Sequence, residues 1–205
     1  MKELVRKIAR RKPDLIGKEN YLVSAVLLPL VEHERETEIL FEVRSLQLER
    51  QPGEICFPGG RVEAAELADP SRAALREAAE ELGLCQADFQ LLAPLDFLVT
   101  PMGTIIYPYV GRVLHPERIV PNSKEVDSVF AVPLSYLLAY KPGVSYVDVA
   151  TRYGDDFPLH RVPARYRGGW QKRWSYPTYI YEYKDYFIWG MTAIILHHFL
   201  SRLLR

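Results

Sequence analysis

Cysteine is scarce in this chain, and no apolar run is long enough to cross a membrane. Cys56 and Cys85 are the two cysteines in 205 residues, which is too few for a disulfide framework and lacks the close spacing of a cysteine-rich metal site. This scarcity favours a reducing compartment, and we predict that both side chains are small buried hydrophobic groups. The longest apolar run, residues 21–31, is shorter than a membrane-spanning helix and contains Pro29.

The chain also lacks an excess of charge of either sign. Lysine plus arginine and aspartate plus glutamate each number 26, so no overall field attracts nucleic acid or an anionic membrane. We therefore predict neither as a partner, and any phosphate recognition must be local. The opening residues alternate charged with apolar side chains and lack the continuous apolar stretch of a signal peptide, so a cytoplasmic location is the default expectation.

Hydrophobic patterning predicts one domain over residues 1–205 that contains both strands and helices. The predicted helices span residues 2–11, 70–82, 133–138 and 189–204. The predicted strands span residues 21–30, 37–43, 55–57, 91–99, 105–113 and 129–132. The acidic stretch 32–36 is predicted to be a solvated hairpin connection. This order favours an α/β (α+β) fold, in which a mixed β-sheet lies between helices on both faces.

Residues 141–187 are rich in tyrosine, arginine, proline and tryptophan. Basic residues mixed with aromatic ones occur on surfaces that stack nucleic-acid bases. Because the chain has no net positive charge, we favour an irregular insertion at about 141–180, or strands that form a dimer. The sequence leaves these two alternatives open.

The helix over 70–82 has the most clearly encoded boundaries. Asp69 is an N-cap residue, Pro70 suits the first helical position, and Gly83 follows the last helix former. The helix carries three glutamates that fall within an arc of about 100°. These glutamates are Glu77, Glu80 and Glu81, whereas the opposite side holds Leu75, Ala78, Ala79 and Leu82.

Clustered carboxylates near the C-terminal end of a helix oppose its stability, because they repel one another and the negative end of the helix dipole. Hard divalent cations prefer oxygen ligands, so a bound metal would turn this repulsion into coordination. The alternative is an ordinary solvated acidic face. The turn at Gly59 and Gly60, which precedes the helix and whose backbone can approach a phosphate closely, favours the metal site.

The spacing of these residues resembles the Nudix box, here about residues 60–84. The matching positions are Gly60, Glu66, Arg76, Glu77, Glu80, Glu81, Gly83 and Leu84. Nine residues separate Glu66 from Arg76, whereas the box has seven. The loop before the helix is therefore longer than usual, and Glu63 is an equally good occupant of the early acidic position.

Membership of this family implies a Nudix α/β/α sandwich and a Mg²⁺- or Mn²⁺-dependent pyrophosphohydrolase. The metal would be held by Glu77, Glu80, Glu81 and the carbonyl group of Gly60. Arg76 would orient the glutamates, and either Glu80 or Glu81 would accept a proton from the attacking water. Glu125 precedes a predicted strand and is either an additional base or a solvated loop carboxylate.

A narrower resemblance, to the coenzyme A diphosphatase branch, lies mainly upstream of the box. It rests on Arg44, Ser45, Leu48, Arg50, Gly53 and the run Phe57-Pro58-Gly59-Gly60. This branch implies cleavage of coenzyme A or its thioesters to 4′-phosphopantetheine and adenosine 3′,5′-bisphosphate. The predicted substrate-binding residues are Arg44, Arg50, Arg61 and Gly59, because arginine suits phosphate through its planar fork.

Two other functions stay open on the sequence. The first is a Nudix hydrolase of ADP-ribose, dinucleotide cofactors or diadenosine polyphosphates, since the box does not discriminate among these substrates. The second is a Nudix-fold ligand-binding module that no longer hydrolyses anything. A homodimer is an expectation from the family alone.

Overall fold

The computed structural model describes Val5, Arg6, Ala9 and residues 15–204. The helix predicted over 2–11 falls mainly outside this described part. Within residues 15–204 the α-helices are α1 (Ser71–Leu82), α2 (Leu134–Ala139) and α3 (Gly190–Leu203). The strands are β1 (Leu22–His33), β2 (Glu36–Arg44), β3 (Ile55–Cys56), β4 (Gly59–Arg61), β5 (Phe89–Pro94), β6 (Leu98–Val99), β7 (Thr104–Val113), β8 (Val126–Pro133), β9 (Gly143–Thr151), β10 (Gln171–Tyr183) and β11 (Tyr186–Ile188).

Strands β1 to β8 form one sheet that is organised around β1. β1 pairs in parallel with β7 and antiparallel with β2 and β4, so the sheet is mixed as predicted. Ala25, Leu27 and Leu28 of β1 are fully buried. A strand covered on both faces has apolar residues at consecutive positions, which explains the continuous apolar run in the sequence.

Helices cover both faces of this sheet. On one face the small side chains of α1, among them Ala74 and Ala78, pack with Ala25 and Leu27 of β1. On the other face α2 and α3 pack against alternate residues of the strands, such as Leu28 and Phe41. The predicted sandwich of helices around a mixed sheet is therefore confirmed. No helix among the described residues is long and apolar enough to span a membrane.

Local sequence signals correctly predicted two features, the turn between β1 and β2 and the end of α1. The acidic stretch 32–36 contains a tight turn in which Glu34 and Arg35 have φ values of 48° and 72°. A turn with positive φ at both central residues matches the twist of paired strands, so β1 and β2 extend further than predicted. At the C-terminal end of α1, Gly83 lies in the left-handed region with a φ of 66° and ends the helix.

The prediction of an irregular insertion at about 141–180 is wrong for the two ends of this segment, whereas residues 152–170 hold only short 3₁₀ turns and loops. β9 and β10 pair antiparallel over this segment, and β11 joins them in a second, three-stranded sheet. Most of β9 is exposed, with no consistently buried face. Because no face is buried, no hydrophobic period marks this strand in the sequence. The alternative of strands that form a dimer stays a prediction.

Two smaller predictions are corrected. The strand predicted over 91–99 is interrupted between β5 and β6, after a bulge near Leu91 and at Pro94, which has no N–H to donate to a ladder. Cys85 is exposed and Cys56 is partly buried, so the predicted burial of both cysteines is wrong. Cys85 lies at the start of a short 3₁₀ turn, where its backbone N–H bonds to Asp88.

We predict that Gly83→Ala destabilises the protein. A Cβ atom at Gly83 would lie 2.2 Å from the carbonyl oxygen of Val120, and the positive φ is strained for any residue with a side chain. The free energy of unfolding in urea should fall by roughly 1–3 kcal/mol. Gly168→Ala is the matched control, because nothing lies within 4 Å of its Cβ position; equal stability of the two variants would contradict the prediction.

Candidate functional site

The Gly59–Gly60 turn allows α1 to approach the sheet closely. Both glycines lie in β4, opposite Val26 and Ala25 of β1. A Cβ atom at Gly59 would lie 2.4 Å from the carbonyl oxygen of Ala25. A Cβ atom at Gly60 would lie 2.4 Å from the carboxyl carbon of Glu77. Glycine is therefore required at position 59 for β4 to lie against β1, and its lack of a side chain at position 60 leaves room for the Glu77 carboxylate.

Two glutamates of α1 lie directly against this glycine backbone. The N–H of Gly59 donates to Oε2 of Glu81 at 2.8 Å, and the carboxylate of Glu77 lies beside Gly60. Glu81 is only 4% exposed. The structure thus places Glu77, Glu81, Gly59 and Gly60 together in one crevice between α1 and the sheet.

Arg76 is fixed by hydrogen bonds to three neighbours. Its Nε and Nη2 donate to the two carboxylate oxygens of Glu66, each at 3.1 Å. Its Nη1 donates to Oε1 of Glu77 at 2.7 Å, and Nη2 also donates to the carbonyl oxygen of Arg61 at 3.2 Å. This planar, two-pronged pairing holds both the guanidinium and the Glu77 carboxylate in place.

Of the two candidates for the early acidic position, Glu66 is the one that contacts α1. Glu66 is buried and accepts from Arg76, whereas Glu63 is exposed and caps the 3₁₀ turn Ala64–Glu66. The backbone N–H of Glu63 donates to Oε2 of Glu66 at 3.0 Å. The longer loop is accommodated by this turn, which brings Glu66 back to α1 despite the two additional residues.

Glu80 differs from its two neighbours on α1. Its side chain is 57% exposed, and its Oε2 lies 3.7 Å from Nη1 of Arg76. The three glutamates share one side of the helix as their spacing predicts, but the sheet buries only part of that side. Glu77 and Glu81 face the crevice, and Glu80 lies at its solvent edge.

Sequence analysis missed a buried carboxylate on β2. Glu42 is 0% exposed, and the thiol of Cys56 on the neighbouring strand donates to its Oε1 at 3.1 Å. Its other oxygen, Oε2, is buried without a hydrogen-bond partner. The available signal was a single charged residue within the apolar run 39–43 of a buried strand.

The site holds more negative charge than its surroundings compensate. Burial raises the pKa of Glu81, and the charge of Glu42 raises it further. Burial likewise raises the pKa of Glu42, and the carboxylates of Glu125 and Glu77 add to this against the opposing effects of Cys56 and Arg44. The pKa of Glu77 is raised by burial, although Arg76 opposes it. A positive charge bound here would stabilise all these carboxylates.

The donor atoms suit a hard divalent cation, because they are carboxylate and carbonyl oxygens. Oε2 of Glu42, which is buried and has no hydrogen-bond partner, is a further oxygen donor. No group of three or more histidine, cysteine or acidic side chains in the described part of the chain is already arranged as a metal site. Cation binding therefore requires these side chains to move toward one another.

Glu125 approaches the same crevice from the loop before β8. Its carbonyl oxygen accepts from the N–H of Ser45 at 2.9 Å, which ties this loop to the end of β2. The N–H of Asn122 donates to the carbonyl oxygen of Glu81 at 2.9 Å. The charge of Glu125 acts on both Glu42 and Glu77, so Glu125 lies near the site rather than apart from it.

The three predicted phosphate-binding arginines lie in different surroundings. Arg44 ends β2 beside the carboxylates, and its Nε is buried without a partner. Arg61 ends β4 and is exposed, and Arg50 is exposed in the loop 45–54. The structure therefore brings Arg44 and Arg61 to the edge of the site and leaves Arg50 on a surface loop.

A family model described as the NUDIX domain matches residues 21–147, which is more than half of the chain. The chain therefore belongs to the Nudix family.

The chain is also similar to individual proteins of known name. The chain is 35% identical over 192 residues to the peroxisomal coenzyme A diphosphatase NUDT7 of Mus musculus, covering 89% of this chain and 72% of that protein. It is 32% identical over 175 residues to the mitochondrial coenzyme A diphosphatase NUDT8 of Homo sapiens, covering 84% of this chain and 65% of that protein. A MutT/nudix family protein from Enterococcus faecalis has the same fold, with a TM-score of 0.50 and 15% identity over 99% of this chain and 68% of that chain.

We predict that Glu66→Gln destabilises the protein at neutral pH and that Glu63→Gln does not. Arg76 holds the pKa of Glu66 below its ordinary value of 4.5, so this carboxylate stabilises the fold above that pH. Loss of the charged hydrogen bonds should lower the free energy of unfolding by roughly 1–3 kcal/mol.

The pH dependence provides the check. The stabilisation by Glu66 is lost as the pH falls through its lowered folded-state pKa. Urea unfolding at a series of pH values should therefore show that wild type and Glu66→Gln converge in acid. If the difference in free energy of unfolding between wild type and Glu66→Gln stays constant with pH, the assigned pairing of Glu66 with Arg76 is contradicted.

Proposed function

We propose that this protein is a divalent-metal-dependent diphosphohydrolase that cleaves coenzyme A or its thioesters. The observation that carries the proposal is the contact of Glu77 and Glu81 with the Gly59–Gly60 backbone, next to an arginine fixed by Glu66. The names of the similar mouse and human proteins support coenzyme A as the substrate.

The cation is proposed to bind Glu77, Glu80, Glu81 and the carbonyl oxygen of Gly60, as Mg²⁺ or Mn²⁺. The uncompensated carboxylates of this crevice and its oxygen donors support that assignment. When bound, the cation supplies charge neutralisation for the diphosphate and lowers the pKa of a water molecule. The remaining chemistry is positioning and proton transfer by the residues of the chain.

Each residue then has a defined task. Arg76 holds Glu77 in place, and the N–H of Gly59 holds Glu81. Removal of a proton from the attacking water is assigned to Glu80 or Glu81, and Glu125 is an additional candidate from its loop. The absence of a side chain at Gly60 keeps the Glu77 carboxylate close to the Gly60 backbone, whose carbonyl oxygen is also a proposed ligand.

The direct test is product analysis. Incubation with coenzyme A and either Mg²⁺ or Mn²⁺ should give 4′-phosphopantetheine and adenosine 3′,5′-bisphosphate, detected by chromatography with mass analysis. ADP-ribose, NADH and a diadenosine polyphosphate are tested in parallel. Faster cleavage of any of these would overturn coenzyme A as the substrate. Tight binding without turnover of any compound would favour the ligand-binding module.

Glu81→Gln is expected to abolish most activity while the protein stays folded. Loss of this carboxylate should lower turnover by roughly 10²–10⁴-fold. Removal of a buried charge should leave the thermal midpoint of the metal-free protein at or above that of wild type. Glu182→Gln, which changes an exposed glutamate on β10, is the control. Near-normal turnover by Glu81→Gln would reject its assigned role.

The three arginines predicted from the sequence to bind phosphate are expected to recognise the 3′-phosphate of coenzyme A. Replacing Arg44, Arg50 or Arg61 by glutamine should lower kcat/KM for coenzyme A by roughly tenfold or more, with a smaller loss for 3′-dephospho-coenzyme A. Arg35→Gln, in the β1–β2 turn, is the control. Equal losses with the two substrates would exclude a 3′-phosphate contact at the position tested.

The cytoplasmic location, the lack of a nucleic-acid partner and the alternative of a homodimer stay predictions. The mouse and human proteins are named as peroxisomal and mitochondrial, and those names describe those proteins.

A further inference from the structure

Three buried side-chain atoms of the described residues lack a hydrogen-bond partner, and two of them lie at the end of one strand. The three atoms are Oε2 of Glu42, Nε of Arg44 and Oγ1 of Thr178. Glu42 and Arg44 are two residues apart on β2, so their side chains lie on the same side of the strand. An unpaired buried carboxylate oxygen is costly, which indicates that Oε2 of Glu42 has a partner in the working protein.

The position of Glu42 is fixed from both neighbouring strands. Its backbone pairs with Cys56 of β3 on one side and with Val129 of β8 on the other. The thiol of Cys56 donates to Oε1, so one carboxylate oxygen is occupied and the other is free. The two neighbouring strands therefore fix the backbone at Glu42, and the Cys56 thiol orients its carboxylate.

The free oxygen lies on the face of the sheet that α1 covers. Leu40, two residues earlier on β2, packs in the cluster that contains the alanines of α1. The intervening Phe41 packs in the cluster on the opposite face. Strand alternation thus places Glu42 on the same side as Glu81, and the two carboxylates act on each other electrostatically.

The cations of the chain near Glu42 do not offset the cost of its burial, because its pKa stays raised. Arg76 is fully engaged by Glu66, Glu77 and the carbonyl of Arg61. Arg44 lowers the pKa of Glu42 and Glu81 but makes no hydrogen bond through its buried Nε. The buried carboxylate of Glu42 is therefore only partly compensated, although a buried charge requires a cationic partner.

We propose that Glu42 is an additional ligand of the divalent cation, which it binds through Oε2 while the Cys56 thiol orients the carboxylate through Oε1. This inference rests on the metal dependence in the proposed function. It extends the cation site from α1 and the glycine turn to the central sheet. Cys56 is then a positioning residue that acts through Glu42.

The test measures Mn²⁺ affinity without substrate, by the electron paramagnetic resonance signal of free Mn²⁺. Glu42→Gln should weaken Mn²⁺ binding by about tenfold or more, as expected for loss of a metal-site carboxylate. Glu38→Gln, on the same strand and partly exposed, is the matched control and should bind within about twofold of wild type. Mn²⁺ affinity of Glu42→Gln equal to that of wild type would overturn the proposal.

Three further variants separate a metal ligand from a structural residue. Glu42→Val is a second neutral replacement that suits a buried strand, and unchanged Mn²⁺ affinity in either neutral variant, once folded, overturns the proposal. Cys56→Ser keeps a donor to Oε1 and should bind Mn²⁺ nearly as wild type does. Cys56→Ala removes that donor and should bind more weakly.

Thermal melting gives an independent readout. A structural role would make metal-free Glu42→Gln less stable, whereas a ligand role predicts equal or higher metal-free stability and a smaller rise in midpoint on addition of Mn²⁺. If the wild-type protein binds Mn²⁺ but does not cleave coenzyme A, the proposed substrate is wrong. The proposal that Glu42 is a metal ligand then still stands. Wild-type protein that does not bind Mn²⁺ would overturn both proposals.

Discussion

The close approach of α1 to the backbone of Gly59 and Gly60 is the constraint on which the site depends. Small residues on the inner side of α1, such as Ala74 and Ala78, let the helix lie tightly against the sheet. The absence of a side chain at Gly60 leaves room for the Glu77 carboxylate. Helix, strand and carboxylates are therefore positioned by one packing contact, and a change on either side would displace them together.

This arrangement concentrates negative charge where burial makes it costly. Arg76 compensates Glu66 and Glu77, but Glu81 and Glu42 are left in surroundings that raise the pKa of each. Perturbed carboxylates in a crevice are a common property of functional sites, because chemistry rather than stability selects them. The fold tolerates this repulsion because the two helical layers and the central strand provide an extensive apolar core.

Sequence reasoning was most accurate where structure is encoded within a few residues. The limits of α1, the turn between β1 and β2 and the buried run of β1 all follow from capping, turn and periodicity signals. It failed for β9 and β10, which form a largely exposed pair without a buried period. It also failed for Cys85, because the exposure of a residue in a turn depends on which segments pack over it.

The set of carboxylates on one side of α1, and the glycine pair that precedes them, can be inferred from the sequence alone. Helical periodicity and backbone freedom are local properties, so they can be inferred without knowing the fold. The pairing of Glu66 rather than Glu63 with Arg76, and the electrostatic effect of Glu42 on Glu81, follow from the folded structure alone. Those relationships depend on contacts between segments far apart in the chain, and such contacts leave no periodic signal in the sequence.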